Sequence, residues 1–235
     1  MRMNPWFLFA AVFLVGCSSS GSTGAAGAIS AKGDSKSDAP LHFGSAQGYR
    51  FVYKPPVVGS IVYDVKISGD AAGHPVNMTQ TRTLTVTDAG SGNFKVDTVQ
   101  EGSVGPKITT VEVVTADRKV LSTTVNGETV DAYAGGASPR DMLPDHAVNV
   151  GETWTGKRVI GGKPIEAEYK LDKVDTVGGV DLATVDIVKV NIDGGKIVDT
   201  GSFVMEVATG VLHRWKMHQT NKAGGTSLDI SMEKR

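Results

Sequence analysis

The chain has 235 residues, with 24 basic and 25 acidic side chains, so its formal net charge at pH 7 is −1. This balance supplies no basic surface, and we expect no nucleic-acid partner. Hydrophobic residues make up 40% of the chain and charged residues 21%, which is ordinary for a protein that folds around a core. With a single cysteine, the chain is not a disulfide-stapled mini-protein.

The first residues have the features of a secretory signal. Arg2 is the only charged residue before a continuous apolar run over residues 6–15. A helix of that length is about 15 Å long, half of the ~30 Å hydrocarbon core, so the run is too short to span a bilayer. A short basic head followed by a compact apolar segment is typical of a cleaved signal. We therefore predict a signal peptide over residues 1–16.

The residues that follow the apolar run, Leu14-Val15-Gly16-Cys17, resemble the lipobox of bacterial lipoproteins. The resemblance implies cleavage before Cys17, a diacylglycerol on its sulfur and a further acyl chain such as palmitate on its new amino group. The alternative is an ordinary cleaved signal with a free cysteine nearby. Because Cys17 is the only cysteine, acylation would consume the one reactive thiol of an exported protein.

The residue after the cysteine is Ser18 rather than Asp. In lipoproteins of Gram-negative bacteria this resembles a signal for sorting to the outer membrane. Two or three acyl chains give an effectively permanent anchor. We therefore predict a cell-envelope location, with the chain attached to the outer membrane through lipid on Cys17.

A flexible tether is predicted over residues 17–46. Gly, Ser and Ala dominate this stretch and apolar periodicity is absent from it. A flexible chain of this length reaches roughly 30 Å, about one domain diameter. We expect a single folded domain over residues 47–235.

The rest of the chain follows a period of two, which predicts half-buried β-strands. The alternation is clearest over residues 61–68, 165–172 and 227–232. Weaker patterns predict further strands near residues 78–88, 93–101, 107–116, 119–125, 128–133, 152–160, 181–192, 197–208 and 211–221. Helix is almost absent from the pattern, and only residues 138–143 suggest a helical turn.

Short turns separate these strands, so consecutive strands must be antiparallel. The strongest turn signal is Asn126-Gly127, because a type I′ turn needs positive φ at both residues. About 11–12 strands cannot stay in one flat sheet, because strand twist makes a large sheet curl or split. The predicted fold is all-β, an antiparallel meander forming a curled, partly closed barrel. The alternative is a two-layer β-sandwich.

One strand departs from simple alternation. Residues 181–192 carry apolar side chains on both faces, with Val188 and Val190 on one and Val185 and Ile187 on the other. This pattern indicates either a strand covered on both sides or a bulge that shifts its register.

Candidate chemistry is sparse. His213 and His218 lie five residues apart on one predicted strand, so they point to opposite faces and cannot share a metal. Five threonines at alternate positions from Thr79 to Thr87 are best explained as a solvated strand face. The nucleophile motif Gly-x-Ser-x-Gly, the calcium-loop pattern and phosphate-binding glycine loops do not occur. We expect no enzyme activity, no cofactor and no metal.

Two local patterns resemble bacterial envelope proteins. The segment from Leu143-Pro144 to Val150-Gly151-Glu152-Thr153-Trp154 is similar to the Pro…Val-Gly-Glu/Asp-x-Trp segment of envelope proteins with β-rich domains. The predicted hairpin around Thr209-Gly210 is similar to one in lipoprotein-carrier-like half-barrels. Independently of the resemblance, we expect Val150-Gly151 to turn the chain so that Trp154 plugs one end of the core.

These observations favour a lipid-anchored, non-enzymatic envelope protein that binds an apolar ligand or an envelope partner. The alternative is a structural or surface-assembly lipoprotein, and a hydrolase acting on envelope polymers is a third hypothesis. A ligand-binding role predicts an apolar cavity of about 300 Å³ or more, open at one end.

Overall fold

The computed structural model describes residues 48–51, 56–116, 119–130, 142–160, 163–192, 197–222 and 224–235. Within these ranges the chain forms twelve strands: β1 (Gly59–Ala71), β2 (His74–Gly90), β3 (Asn93–Gly102), β4 (Ile108–Thr115), β5 (Val120–Val125), β6 (Glu128–Val130), β7 (Thr153–Ile160), β8 (Lys163–Val177), β9 (Val180–Ile192), β10 (Ile197–Glu206), β11 (Leu212–Asn221) and β12 (Thr226–Lys234).

The strands belong to a single sheet with the order β6-β5-β4-β3-β2-β1-β12-β11-β10-β9-β8-β7. All pairings are antiparallel, which confirms the predicted meander. Among the twelve strands of the described residues, the one long-range pairing joins β1 to β12, with Tyr63 opposite Lys234 and Ala71 opposite Thr226. Because there is one sheet, the sandwich alternative is wrong.

The sheet is strongly curled and open rather than closed. Strands β2 and β3 lie four and five places from β10 in the sheet order, yet side chains from all three line one cavity. Over the described residues, the edge strands β6 and β7 are not neighbours in the sheet. Curling therefore creates an inner face without sealing the sheet into a barrel.

The core lies on the inner face, and most of its buried side chains belong to β1 and β7–β12. Alternate residues Tyr63, Val65 and Ile67 of β1 are buried, whereas Lys66 between them is exposed. Aromatic rings continue the core across the sheet: Trp154 stacks on Tyr169 with centroids 5.9 Å apart. The period-two pattern thus predicted correctly which side chains of β1 face the core.

Gly201 of β10 lies where neighbouring backbone comes too close for a side chain. Its φ is +154°, and a Cβ there would lie 2.1 Å from the carbonyl oxygen of Lys216. The β9–β10 register shifts between Asp199 and Gly201. Glycine in a strand interior often marks such a bend, and here it lets the backbone of β10 approach that of β11 closely.

Bulges also explain the apolar pattern of β9. Its pairing with β8 shifts register at Glu168/Tyr169 and at Leu171/Lys173. As a result Val185, Ile187 and Val190 are all buried, while Val188 is 42% exposed. The bulge interpretation is confirmed, and the idea of a strand covered on both sides is wrong.

The strongest turn signal in the sequence is confirmed. Asn126 and Gly127 have φ values of +50° and +87°, as the predicted type I′ turn requires. Only Met142 and Leu143 of the proposed helical turn are described, so most of it lies outside the described residues. The same holds for the signal peptide, Cys17 and the tether.

Candidate functional site: an apolar cavity beside a carboxylate–histidine cluster

A cavity of about 150 Å³ lies inside the curl, between β1–β3 on one side and β10–β12 on the other. Its lining is almost wholly apolar and includes three methionines. Methionine side chains are flexible and adapt to irregular ligands. Residues that define its walls are Leu84, Val96, Phe203, Met205, Leu212 and Met232.

The cavity is partly open to solvent. Val57, which precedes β1 and lines the cavity, is 51% exposed. Gly210 and Val211, in the β10–β11 turn, line it from the opposite side. The volume is about half of the 300 Å³ that a ligand-binding role predicted. A cavity of this size accepts a group about as large as a benzene ring.

The segment before β7 covers part of the cavity. Met142 and Leu143 line it, and the indole Nε1 of Trp154 donates a 2.7 Å hydrogen bond to the carbonyl oxygen of Met142. Trp154 is 7% exposed and lies next to Phe51, with ring centroids 6.3 Å apart. Gly151, with φ +91°, makes the turn before it. The prediction that Trp154 plugs the core is confirmed.

The inner face changes character at the cavity. On the β2–β5 side, the inward-facing positions include five buried polar residues, which the pairing registers place on one face: Arg82, Thr98, Thr110, Glu112 and Thr123. Arg82 also lines the cavity. The cavity therefore lies at the boundary between an aromatic, apolar half of the inner face and a polar half.

A cluster of polar side chains holds the β10–β11 turn at the cavity. Glu206 Oε1 lies 2.7 Å from His213 Nε2 and 3.7 Å from Lys234 Nζ. The Thr209 hydroxyl donates to Glu206 Oε2 at 2.5 Å, and Val211 N donates to the Thr209 hydroxyl at 3.2 Å. These contacts connect the ends of β10, β11 and β12.

The environment of Glu206 favours its charged form. Burial alone raises the pKa of its carboxyl group, but hydrogen bonds from Thr209 and His213 and the charge of Lys234 lower it further than burial raises it. The net pKa lies below the ordinary value. At neutral pH the carboxylate is therefore ionised and acts as a fixed acceptor beside the cavity.

The outer face carries a separate polar groove of about 650 Å³. Arg235 Nε donates to both carboxylate oxygens of Asp64, at 3.0 and 3.1 Å. A hydrogen bond between the Arg235 guanidinium and Asp64 holds the pKa of the Asp64 carboxyl below its ordinary value. Thr79 and Thr81, part of the predicted threonine row, line this groove. The row faces outward, as a solvated strand face requires.

The histidines are dispersed, as the sequence predicted. His218 is on the outer face, where its Nδ1 lies 2.8 Å from Asp229, whereas His213 is half-buried and contacts Glu206. His146 lies 3.1 Å from Asp145. Over the described part of the chain, His, Cys, Asp and Glu do not gather in groups of three or more that could hold a metal ion.

The sequence predicted an apolar cavity for a ligand-binding role but not the residues that line it, and it did not predict the Glu206 cluster. The cavity walls come from β1–β3 and β10–β12, and their meeting depends on the pairing of β1 with β12. For Glu206 a partial signal existed: His213 follows it by seven residues across the predicted Thr209-Gly210 turn. A hairpin brings such residues together when its register is known, but the shift between Val204 and Met205 hides that register.

Comparisons with known proteins do not assign the chain to a family. No family model and no curated protein matches the chain. Among the described residues, no helix is both long and apolar enough to cross a membrane.

Two solved structures are similar at low identity. One, described as an exported protein with a YMCC-like fold from Bacteroides fragilis NCTC 9343, is 14% identical with a TM-score of 0.33, over 81% of this chain and 100% of that one. The other is a DUF1329 family protein from Desulfovibrio piger ATCC 29098, 8% identical with a TM-score of 0.30, over 75% of this chain and 85% of that one. TM-scores this low do not identify a shared function.

Proposed function

We propose that this chain is a non-enzymatic protein of the bacterial cell envelope, anchored to the outer membrane through acylated Cys17, which binds an apolar ligand in its inner cavity. The observation that carries the proposal is the partly open cavity, lined by methionine, leucine and phenylalanine side chains. An apolar cavity with a few polar groups at its edge is the usual form of a small-molecule site.

The size of the cavity restricts the ligand. About 150 Å³ accommodates one ring or the end of a hydrocarbon chain, not a whole membrane lipid. The polar part of the ligand then stays at the mouth, near the β10–β11 turn. The ligand class is therefore an amphiphile whose apolar end enters the cavity.

The anchor is supported by the sequence. Leu14-Val15-Gly16-Cys17 follows an apolar run too short to span a bilayer, and Cys17 is the only cysteine in the chain. The chain therefore cannot form an internal disulfide, and acylation would account for the presence of this single thiol. The composition of residues 17–46 supports a tether between the lipid and the domain.

One experiment tests both parts. The full chain is expressed with its N-terminus intact, purified from membranes in detergent and examined by mass spectrometry under denaturing and native conditions. The denatured mass reports covalent lipid on Cys17. The native mass, recorded after the detergent has been removed in the gas phase, reports a non-covalent ligand.

We expect a covalent diacylglycerol adduct and, separately, a non-covalent apolar adduct. Leu84→Trp, which fills the cavity, should keep the first and lose the second, whereas Val188→Trp on the outer surface should keep both. A native mass without any adduct in the parent chain contradicts ligand binding. A stable complex with an envelope protein in its place would favour the surface-assembly alternative, and turnover of an envelope polymer would contradict the non-enzymatic role.

A further inference from the structure

Exposed valines gather at one end of the sheet. We call the end at which β1 begins the entry end. Because the strands are antiparallel, this end also holds the start of β7 and the β8–β9 and β10–β11 turns. Of the eight exposed large hydrophobic residues in the described part of the chain, five lie at these places, and we call them the valine rim: Val57, Val58, Val150, Val177 and Val180.

The other three exposed apolar residues are elsewhere. Val104 lies in the β3–β4 turn at the opposite end of the sheet, and Leu121 and Val188 lie on strands. Single exposed apolar residues are normal on a protein surface. Five at one end, from 39% to 60% exposed, make that end different from the opposite one.

The cavity opens at the same end. Val57 belongs both to the valine rim and to the cavity lining. Gly210 and Val211, which line the cavity, lie in a turn of the entry end, and Val207 N donates a 2.9 Å hydrogen bond to the carbonyl oxygen of Asp181, next to Val180. The rim and the cavity mouth therefore form one surface.

The chain also enters the domain at this end. Tyr49 pairs with Val148 through backbone hydrogen bonds of 2.7 and 2.9 Å. Val148 precedes Val150 of the rim by two residues. Cys17 precedes Tyr49 by 32 residues. The tether predicted from the composition of residues 17–46 would reach roughly 30 Å, so lipid on Cys17 would keep the entry end close to the membrane.

The charges beside the valine rim determine which kind of lipid surface it can contact. Asp175 pairs with Lys173 at 2.7 Å, and Asp181 accepts a hydrogen bond from Thr176. Glu152 and Asp145 lie near Val150 and have His146 between them. Arg50 also acts electrostatically on Asp145, so four carboxylates here face two cations, Lys173 and Arg50. The excess is negative, so an anionic surface would repel it and a zwitterionic lipid surface fits it better.

We propose that the valine rim rests on the zwitterionic surface of the membrane that holds the anchor, so that the cavity mouth faces lipid. The proposal rests on the lipid anchor of the proposed function. Contact by five valines is weak alone, but a short tether raises the effective concentration of the surface to the millimolar range, which makes weak contact sufficient. An apolar ligand then passes between membrane and cavity without crossing water.

Lipid quenching of labelled full-length chains tests the proposal. Val57→Cys, Val177→Cys and the control Val104→Cys are each labelled with an environment-sensitive nitrobenzoxadiazole fluorophore. The three valines are similarly exposed, and Val104 lies at the opposite end. Each chain is reconstituted into phosphatidylcholine vesicles with and without nitroxide-labelled lipid.

Labels at residues 57 and 177 should lose most of their fluorescence to nitroxide lipid, whereas the label at residue 104 should keep nearly all of it. Replacing part of the phosphatidylcholine with phosphatidylglycerol should weaken the loss. Equal quenching at all three positions, in chains that float with the vesicles, overturns the proposal. Self-quenching at residues 57 and 177 without nitroxide lipid would identify a second copy as the occupant and also overturns it.

Failure of the anchor gives a different result. If Cys17 carries no lipid, the parent chain without an introduced cysteine takes up the label at Cys17 and does not float with vesicles. That result contradicts the proposed function, whereas floating chains with equal quenching contradict only the membrane contact of the rim.

Discussion

The indole of Trp154 and the backbone of Met142 are joined by a 2.7 Å hydrogen bond that connects the core to the cover of the cavity. Trp154 stacks on Tyr169 and packs at a tilt against Phe51, while Met142 lines the cavity. The bond therefore positions the segment before β7 over the inner face. Any change that frees the Met142 carbonyl also changes the cavity wall.

Trp154→Phe tests this bond. Phenylalanine keeps much of the aromatic packing but cannot donate, so the Met142 carbonyl loses its partner, and we expect a loss of about 1–3 kcal/mol in the free energy of unfolding. Trp154→Leu also removes the aromatic stack and should cost more. Urea unfolding followed by circular dichroism measures both. Equal stability of the Phe variant and the parent chain would show that the hydrogen bond does not position the segment.

Glu206 makes stability depend on pH. Its carboxyl pKa is lowered from the ordinary 4.5 in the folded chain by Thr209, His213 and Lys234, against the opposing effect of burial. A group whose folded pKa is depressed contributes stability above its unfolded pKa, and this contribution is lost as the pH falls through the folded value. The Glu206 contribution is therefore full at neutral pH, begins to fall near the ordinary glutamate pKa and is lost once the pH drops below the depressed folded pKa.

Glu206→Gln should accordingly destabilise the chain by about 1–3 kcal/mol at pH 7 and by progressively less as the pH falls below the ordinary glutamate pKa. Unfolding free energies measured from pH 3 to pH 7 give the comparison. Asp64→Asn is the control, because its ion pair with Arg235 is exposed and contributes less. A Glu206→Gln deficit that persists unchanged at pH 3 would assign the effect to packing instead of charge.

Local sequence signals predicted the strands because burial on a sheet repeats every two residues. The period of two is clear where one face of a strand is exposed to solvent, as in β1, where Tyr63 and Val65 alternate with Asp64 and Lys66. Two other local signals were also correct: the Asn126-Gly127 pair located its turn, and the Val150-Gly151 turn placed Trp154 in the core. In each case the physical cause lies within a few residues of the chain.

The candidate site could not be predicted in the same way. The pairing of β1 with β12 places Tyr63 opposite Lys234, 171 residues away, and neither strand carries a local mark of its partner. The cavity depends on this pairing and on the curl. The bulge between Val204 and Met205 changes which side chains meet, and, in contrast to the irregularity of β9, no hydrophobic pattern in the sequence marks its position. The site therefore follows from long-range register, not from a motif.

Two glycines with similar backbone angles allow the close approach of β10 and β11 to be tested. Gly201 and Gly59 have φ values of +154° and +140°. A Cβ at Gly201 would lie 2.1 Å from the Lys216 carbonyl oxygen, whereas a Cβ at Gly59 meets nothing within 4 Å. Both alanine variants suffer unfavourable φ, but only Gly201→Ala forces two strands apart.

We therefore expect Gly59→Ala to cost about 1 kcal/mol and Gly201→Ala about 3 kcal/mol or more, since a backbone clash is added to conformational strain. Thermal unfolding of both variants gives the difference. Because Phe203 and Met205 of the same strand line the cavity, Gly201→Ala should also weaken the non-covalent adduct in native mass spectra. Equal losses of stability in the two variants would show that β10 can move away from β11 freely, and the bend at Gly201 would then have no part in shaping the cavity.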